Sequence, residues 1–405
     1  MNNETKIIFF TCVGHFFCHF YELIFPALAI PLMISLKMSL PEVLKLSFFM
    51  YLLLGLGALP WGIISDHYGN HRSLVIFFIG TGIGAIMTAF SNSGTSIMLS
   101  LATIGFFASI YHPAGMGLIS LGIKNRGMAL GINGVAGNLG LATAPFVAGL
   151  LNWLVGWQIT YLLIGLLSIF WGIILYFKKI DETPVHRNDD ITNTGSNNNY
   201  LQYFLILCVV MTLAGLAYRA NNVVLPAYLE FKADFLWKLF QNIDFNNIEG
   251  TKTMAATLLA SSIYMVGIFG QLAGGKLADK YDLRWLYLIF HGLSLPFLIF
   301  MGILSEQLLV ISAAIYIFFA LGMQPIENSL VAKFTPNRWR STGYGIKFIL
   351  TFGVGSTAVY FVGWIKEAWS LNVVYFFSGG IVVLILLCIA LLILFSRGIT
   401  CKNIP

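Results

Sequence analysis

His15, His19 and Glu22 follow one another at spacings of four and three residues. On an α-helix this places all three within an arc of about 60°. Histidine changes charge near neutral pH, and a desolvated glutamate can hold a proton, so such a face can take part in proton coupling. Two other chemistries suit the same residues. The histidines could be neutral side chains hydrogen-bonded to other helices. With Cys12 one turn earlier, the face could also hold a transition metal, but no fourth ligand set accompanies it and no metal is expected. Arg219 is the second centre, always charged, with Asn221 and Asn222 beside it. Its paired donors suit a carboxylate or phosphonate, or else an internal ion pair with Glu22. These two roles are compatible, because an arriving anion can displace Glu22 as that carboxylate takes a proton. Glu327 and Lys347 form a third set, and His112 is a further cavity candidate.

These residues matter because of where they lie. Of the 405 residues 58% are hydrophobic and 10% charged, with a mean hydropathy of +0.82. Soluble domains carry about 25% charged residues, so too little polar side chain is present to coat a globule in water. Apolar runs fall at 7–34, 42–64, 73–92, 96–121, 128–152, 157–177, 203–229, 254–278, 285–304, 308–332, 341–365 and 371–396. Each is long enough for a spanning helix, which needs ~17–25 residues. Continuous runs of this kind predict an all-α integral membrane protein with twelve transmembrane helices, not a barrel. An ionisable residue at such depth is costly and by default faces a cavity or a partner. Glu327 and Lys347 both fall about 9 Å from the same membrane boundary at 1.5 Å per residue. Matched depth and opposite charge predict a buried pair, serving as a gate or as a structural pin.

Twelve crossings return both termini to one side. Fifteen of the 23 basic residues fall on that side, six on the other, and Arg219 and Lys347 lie within spans. The positive-inside rule therefore predicts cytoplasmic termini in an inner or plasma membrane. The net charge of +6 follows this placement and forms no patch for nucleic acid. The five cysteines have no metal or disulfide spacing. No phosphate loop or dinucleotide fingerprint occurs, and no domain is large enough to bind ATP, so neither an enzyme nor a cofactor is expected. Residues 178–202 read as a polar cytoplasmic linker between six-helix bundles at 1–177 and 203–405. The insert at 230–253, with FLWKLF, reads either as a short interfacial helix or as aromatics packed on the outer mouth.

The halves repeat. Gly62, Asp66, Gly69 and Arg72 follow the second run, and Gly275, Asp279 and Arg284 follow the eighth. Pro26 likewise stands opposite Pro226, His19 opposite Arg219, and Glu22 opposite Asn222. An aspartate at the C-terminal end of a helix is disfavoured by the macrodipole and needs a partner, which suits a latch made and broken between two states. Parallel six-helix repeats are a transporter architecture.

With its duplicated Gly-x-x-x-Asp loop, twelve helices and central linker, the chain resembles the major facilitator superfamily over nearly its whole length. The second loop departs from the pattern, with Asp282 where the repeat has glycine. In the fifth helix Gly131, Gly140, Ala144-Pro145 and Ala148-Gly149 are similar to that family's antiporter motif, with Gly140 and Pro145 as bending positions. Ordinary small-residue packing would look the same. Ala102 stands where drug exporters carry an arginine. Tyr111-His112-Pro113-Ala114 and Gly137-Asn138-Leu139-Gly140 resemble the fosmidomycin-resistance-type branch. That resemblance implies alternating-access, proton-driven export of a small polar or anionic compound by a functional monomer. Proton symport or facilitated import of an organic anion is the alternative, as is a sensor or assembly protein that moves no solute.

Overall fold

The computed structural model describes residues 2–124, 126–183, 199–240, 248–335, 340–397 and 401. Among these, all regular structure is helical. The order is α1 (Asn3–Ala27), α2 (Ala29–Leu36), α3 (Leu40–Lys45), α4 (Phe48–Leu56), α5 (Ala58–Tyr68), α6 (Asn70–Ala89), α7 (Gly94–Ala108), α8 (Tyr111–Gly122) and α9 (Arg126–Phe177). There follow α10 (Asn199–Lys232), α11 (Phe235–Phe240), α12 (Ile248–Ala278), α13 (Leu283–Ile303), α14 (Glu306–Phe334), α15 (Arg340–Phe348), α16 (Ala358–Ala368) and α17 (Val373–Phe395). Most of the 178–202 linker and part of the 230–253 insert lie outside the described residues. FLWKLF is the helix α11, with Lys238 paired to Asp234 at 2.9 Å.

Among the described residues ten helices are long and apolar enough to cross a membrane, or eleven if α2 with α3–α4, bent by 111°, counts as one broken span. Helix α9 has 52 residues, about 78 Å at 1.5 Å per residue, well over twice the ~30 Å hydrocarbon layer. It breaks at Gly156 (φ 82°, ψ 162°), a conformation that only glycine adopts readily. The break falls between the runs 128–152 and 157–177, so α9 carries two crossings. The sequence predicts twelve crossings; the described residues give ten to eleven candidate spans by length and composition, with α9 long enough for two. The protein is a multi-pass, all-α membrane protein.

Local sequence accounts for the breaks that matter to function. Helix α1 starts where the Asn2 side chain accepts from the Thr5 amide at 2.8 Å, with Glu4 favourably placed in the first turn. Pro26 lies in its last turn, and the helix ends at Leu28 (φ −103°, ψ 10°) before α2 resumes. Beyond Lys347 the chain passes through a π-helical turn at Ile349–Gly353 and a 3₁₀ turn at Val354–Thr357 before α16. The π-helical turn is the wide one, and such turns inside α-helices are frequent at functional positions.

The chain divides into two compact units, residues 1–189 with 225–261, and residues 190–224 with 262–405. Within the first, α1 lies against α9 at Gly140, where an added Cβ would stand 2.2 Å from the Phe16 carbonyl oxygen. Only a residue without a side chain permits that approach. Pro145 lies inside α9, where it cannot donate a backbone hydrogen bond, and the next amide, of Phe146, donates to Ser261 Oγ at 2.8 Å. A neighbouring hydroxyl thus satisfies a backbone group near the proline. Trp153 Nε1 donates to Thr251 Oγ1 at 3.1 Å, and Gly149 sits directly under Thr257. These contacts hold 225–261 to the first unit. In the second, Leu207, Met211, Tyr287, Phe290, Ile326, Leu330 and Ile389 form the centre of one apolar core. Leu384, Leu387, Leu391 and Phe395 of α17 are exposed. In lipid that face needs no protein cover.

Candidate functional site

The helix-1 face predicted from spacing exists, and it is a connected chain of polar contacts. His15 Nδ1 lies 2.7 Å from the Asn133 carbonyl oxygen, His15 Nε2 lies 3.1 Å from His19 Nε2, and His19 Nδ1 lies 2.9 Å from Glu22 Oε2. His15 and Glu22 are buried, and His19 is nearly so. His112, on α8, meets both other imidazoles edge-on, with ring centroids 5.5 Å from each. Tyr111 stacks on His15 at 4.9 Å. Its hydroxyl donates to the Thr11 carbonyl at 2.8 Å and accepts from the Asn133 amide at 2.8 Å. Gly137 leaves the space the His15 ring occupies, since a Cβ there would be 2.7 Å from Nε2.

Counting donors shows what this chain of contacts can hold. A carbonyl only accepts, so His15 Nδ1 carries hydrogen; with that imidazole neutral, His15 Nε2 presents a lone pair. For the other two contacts to be hydrogen bonds, one further proton must lie along His15–His19–Glu22. It sits on His19 with Glu22 ionised, or on Glu22 with His19 donating onward. Both arrangements leave the trio neutral, and passing between them moves a proton along the chain. Asn133 and Tyr111 complete this arrangement but escaped sequence reasoning as site residues. The signal available was a fully buried asparagine inside an apolar run.

Arg219, with Asn221 and Asn222, lies in the second unit. Its side chain is 0% exposed, and the guanidinium carbon lies 5.9 Å from the Tyr218 ring centre and 5.8 Å from that of Phe352. Phe352 belongs to the π-helical turn, and Gly215 allows α10 to approach that turn, a Cβ there falling 2.6 Å from the Thr351 carbonyl. Asn222 Oδ1 accepts from Tyr264 at 2.9 Å. Asn221 is buried, and neither end of its amide has a hydrogen-bond partner among the described residues.

Glu327 and Lys347 meet, at 2.8 Å, both buried. Lys347 Nζ also donates to Asn328 Oδ1 at 2.5 Å, and Tyr287 donates to the other Glu327 oxygen at 2.5 Å. Tyr287 in turn packs edge-on against His291 at 4.8 Å. Tyr287 comes from a buried face of α13, and Asn328 from an exposed position of α14.

The two loop motifs are built differently. Gly69 adopts φ 93° between α5 and α6, the left-handed requirement that its place in a tight connection implies. Asp66 and Arg72 are exposed, and among the described residues neither makes a hydrogen bond or ion pair. The acid that occupies this turn is Glu182 of the linker. Its carboxylate accepts from the Asn70 amide at 2.8 Å and the His71 amide at 3.1 Å, at the N-terminus of α6. In the second loop Asp279 is exposed, and Arg284 pairs instead with Asp282, through Nε at 3.0 Å and Nη2 at 2.7 Å. Arg284 Nη1 also donates to the Ser396 carbonyl and to Ser396 Oγ. Burial works against the Asp282 carboxylate, but the Arg284 hydrogen bonds and charge outweigh it and hold its carboxyl below the usual range. Asp282, which breaks the repeated pattern, is also the residue that caps α13 through the Arg284 amide.

Buried charges on spanning helices, loop motifs at both helix junctions and a multi-span all-α fold point to one family. The family model described as Major Facilitator Superfamily matches residues 10–232 and 207–398. The chain belongs to the Major Facilitator Superfamily. Membership places it in a family of transporters, not of enzymes. The superfamily fold is also evident in solved structures. A bacterial homologue of the human lysosomal transporter Spinster, inward-facing and unoccupied, aligns with a TM-score of 0.75 over 98% of each chain at 14% identity. The nucleoside transporter NupG aligns with a TM-score of 0.73 over 96% of this chain and 100% of that one, at 15% identity. Among curated relatives, the nitrite extrusion protein of Bacillus subtilis is 27% identical over 58% of this chain and 56% of its own. The riboflavin transporter RibZ of Clostridioides difficile is 26% identical over 28% of this chain and 26% of its own. The tetracenomycin C resistance and export protein of Streptomyces glaucescens is 25% identical over 35% of this chain and 27% of its own. The chain thus spans between a quarter and just over half the length of these relatives.

Proposed function

We propose that this superfamily member is a secondary active transporter that exports a small polar or anionic compound in exchange for protons, by alternating access. The observation that carries the reading is Arg219. A guanidinium buried on a membrane-spanning helix has a permanent charge and a planar set of donors, which suit a carboxylate, phosphonate or similar anion. The adjacent Asn221 offers an amide whose donors and acceptor are unengaged among the described residues. In this reading the proton is carried along His15, His19 and Glu22, and the anion leaves Arg219 as the proton arrives. Glu327 and Lys347 act as a gate, and Gly62, Asp66, Gly69, Arg72, Asp279 and Arg284 as the loops that change between states.

The protein acts as a monomer in the plasma membrane with both termini cytoplasmic, its bundles at 1–177 and 203–405 joined by the 178–202 linker. Its branch is the fosmidomycin-resistance type. The curated relatives include one protein named for nitrite extrusion and one for export of tetracenomycin C, which is consistent with outward transport. A thermal-shift screen of purified protein against small anions identifies the substrate, because a ligand of the native state alone raises its stability. Arg219→Ala is expected to abolish both the shift and the transport of that anion while the protein remains folded. Unchanged binding and transport kinetics in the variant would remove Arg219 from the site.

A further inference from the structure

We propose that His15, His19 and His112 form a binding site for a divalent transition-metal ion of the Zn²⁺ type. Ligand-capable atoms of the three side chains all lie within 4.8 Å of one another. The Nε2 atoms of His15 and His19 face each other at 3.1 Å. In a tetrahedral site with Zn–N bonds of about 2.0–2.1 Å, two ligand nitrogens stand roughly 3.3 Å apart. The pair therefore has nearly the separation a metal imposes, and His112 closes the third arm by rotation of its own side chain. Gly137 leaves room beside the His15 ring, where a Cβ would fall 2.7 Å from Nε2.

The outer contacts are those a metal-bound imidazole requires. A ligating histidine donates its other ring N–H to a carbonyl or carboxylate, which fixes the tautomer and aims the lone pair. His15 Nδ1 meets the Asn133 carbonyl and His19 Nδ1 meets Glu22. Two of the three arms are thus oriented from behind, one by each type of acceptor. The ion replaces the single proton counted along His15–His19–Glu22, and that proton is released. Neutral imidazole donors select Zn²⁺, Co²⁺, Ni²⁺ or Cu²⁺ over Mg²⁺ and Ca²⁺. Three nitrogen ligands leave a fourth position open, the arrangement of an exchangeable site and not of a closed structural one. This inference stands apart from the proposed transport of an anion, because it concerns equilibrium binding alone.

The test is equilibrium binding of Zn²⁺ to the full-length, tag-free protein in detergent, together with the visible spectrum of the protein titrated with Co²⁺. The expected result is one Zn²⁺ per chain, weakened at least tenfold in His19→Gln and in His112→Gln. Glu22→Gln should retain the stoichiometry with a smaller loss of affinity. Co²⁺ should give the intense bands of a four-coordinate nitrogen site. Wild-type binding no tighter than that of the two histidine variants would overturn the proposal, as would a weak six-coordinate Co²⁺ spectrum. Should a variant fail to fold, the wild-type Co²⁺ spectrum decides alone. Neither readout uses transport, so a protein that moves no solute would leave the metal site intact, and absence of metal would leave the transport reading intact.

Discussion

Glu327 and Lys347 are the residues whose energetics can be stated most directly. Each is buried, and each has a second partner, Tyr287 for the acid and Asn328 for the base. Removing one charge strands the other, at a cost of about 3–5 kcal/mol, whereas removing both leaves no stranded charge. Glu327→Gln or Lys347→Met alone should therefore lower the apparent Tm in detergent more than the double variant does. Tm values for all three equal to that of the wild type would show that the pair contributes nothing to stability. The pairing was legible because matched depth and opposite sign are visible in a sequence once spans are drawn. So was the His15–His19–Glu22 face, because helical spacing fixes it. Asn133 was not, since the partner of His15 comes from 118 residues away. Nor was Glu182, because nothing in a polar linker marks which of its acids will meet a helix terminus.

At the scale of elements, small residues mark close helix contacts, but not equally. Gly131 and Gly140 stand in the same motif of α9, yet only one is pressed against a neighbour. A Cβ at Gly140 would fall 2.2 Å from the Phe16 carbonyl, whereas nothing lies within 4 Å at Gly131. Gly140→Ala should separate α1 from α9 and lower the apparent Tm. Gly131→Ala should be neutral or stabilising by up to about 1 kcal/mol through helix propensity. A destabilisation at Gly131 as large as at Gly140 would mean that backbone freedom, not packing, governs the motif. Sequence could name both glycines but not tell them apart, because the difference lies in what the partner helix places opposite. The same limit applies to α9 itself. Two runs were legible at 128–152 and 157–177, while their joining into one broken helix depends on the single dihedral at Gly156.

Over the whole molecule, the bilayer makes the architecture readable. Its thickness imposes a minimum run length, its lack of water requires closed backbone hydrogen bonding, and both leave marks in composition. The compact units were less legible, because residues 225–261 join the first unit through contacts such as Phe146–Ser261 and Trp153–Thr251. Those are single hydrogen bonds between segments far apart in the chain, and no hydropathy pattern encodes them. The placement of the basic residues remains the argument for which side of the membrane each loop faces.

In the proposed mechanism, inward movement of protons drives an anion outward through this protein. It is tested most directly in proteoliposomes carrying an imposed pH gradient, with internal pH and a labelled anion from the thermal-shift screen followed together. The anion is expected to accumulate against its own gradient in the direction opposite to proton flow, and Arg219→Ala to abolish both fluxes. Anion movement in the same direction as the protons, or movement indifferent to the pH gradient, would contradict it.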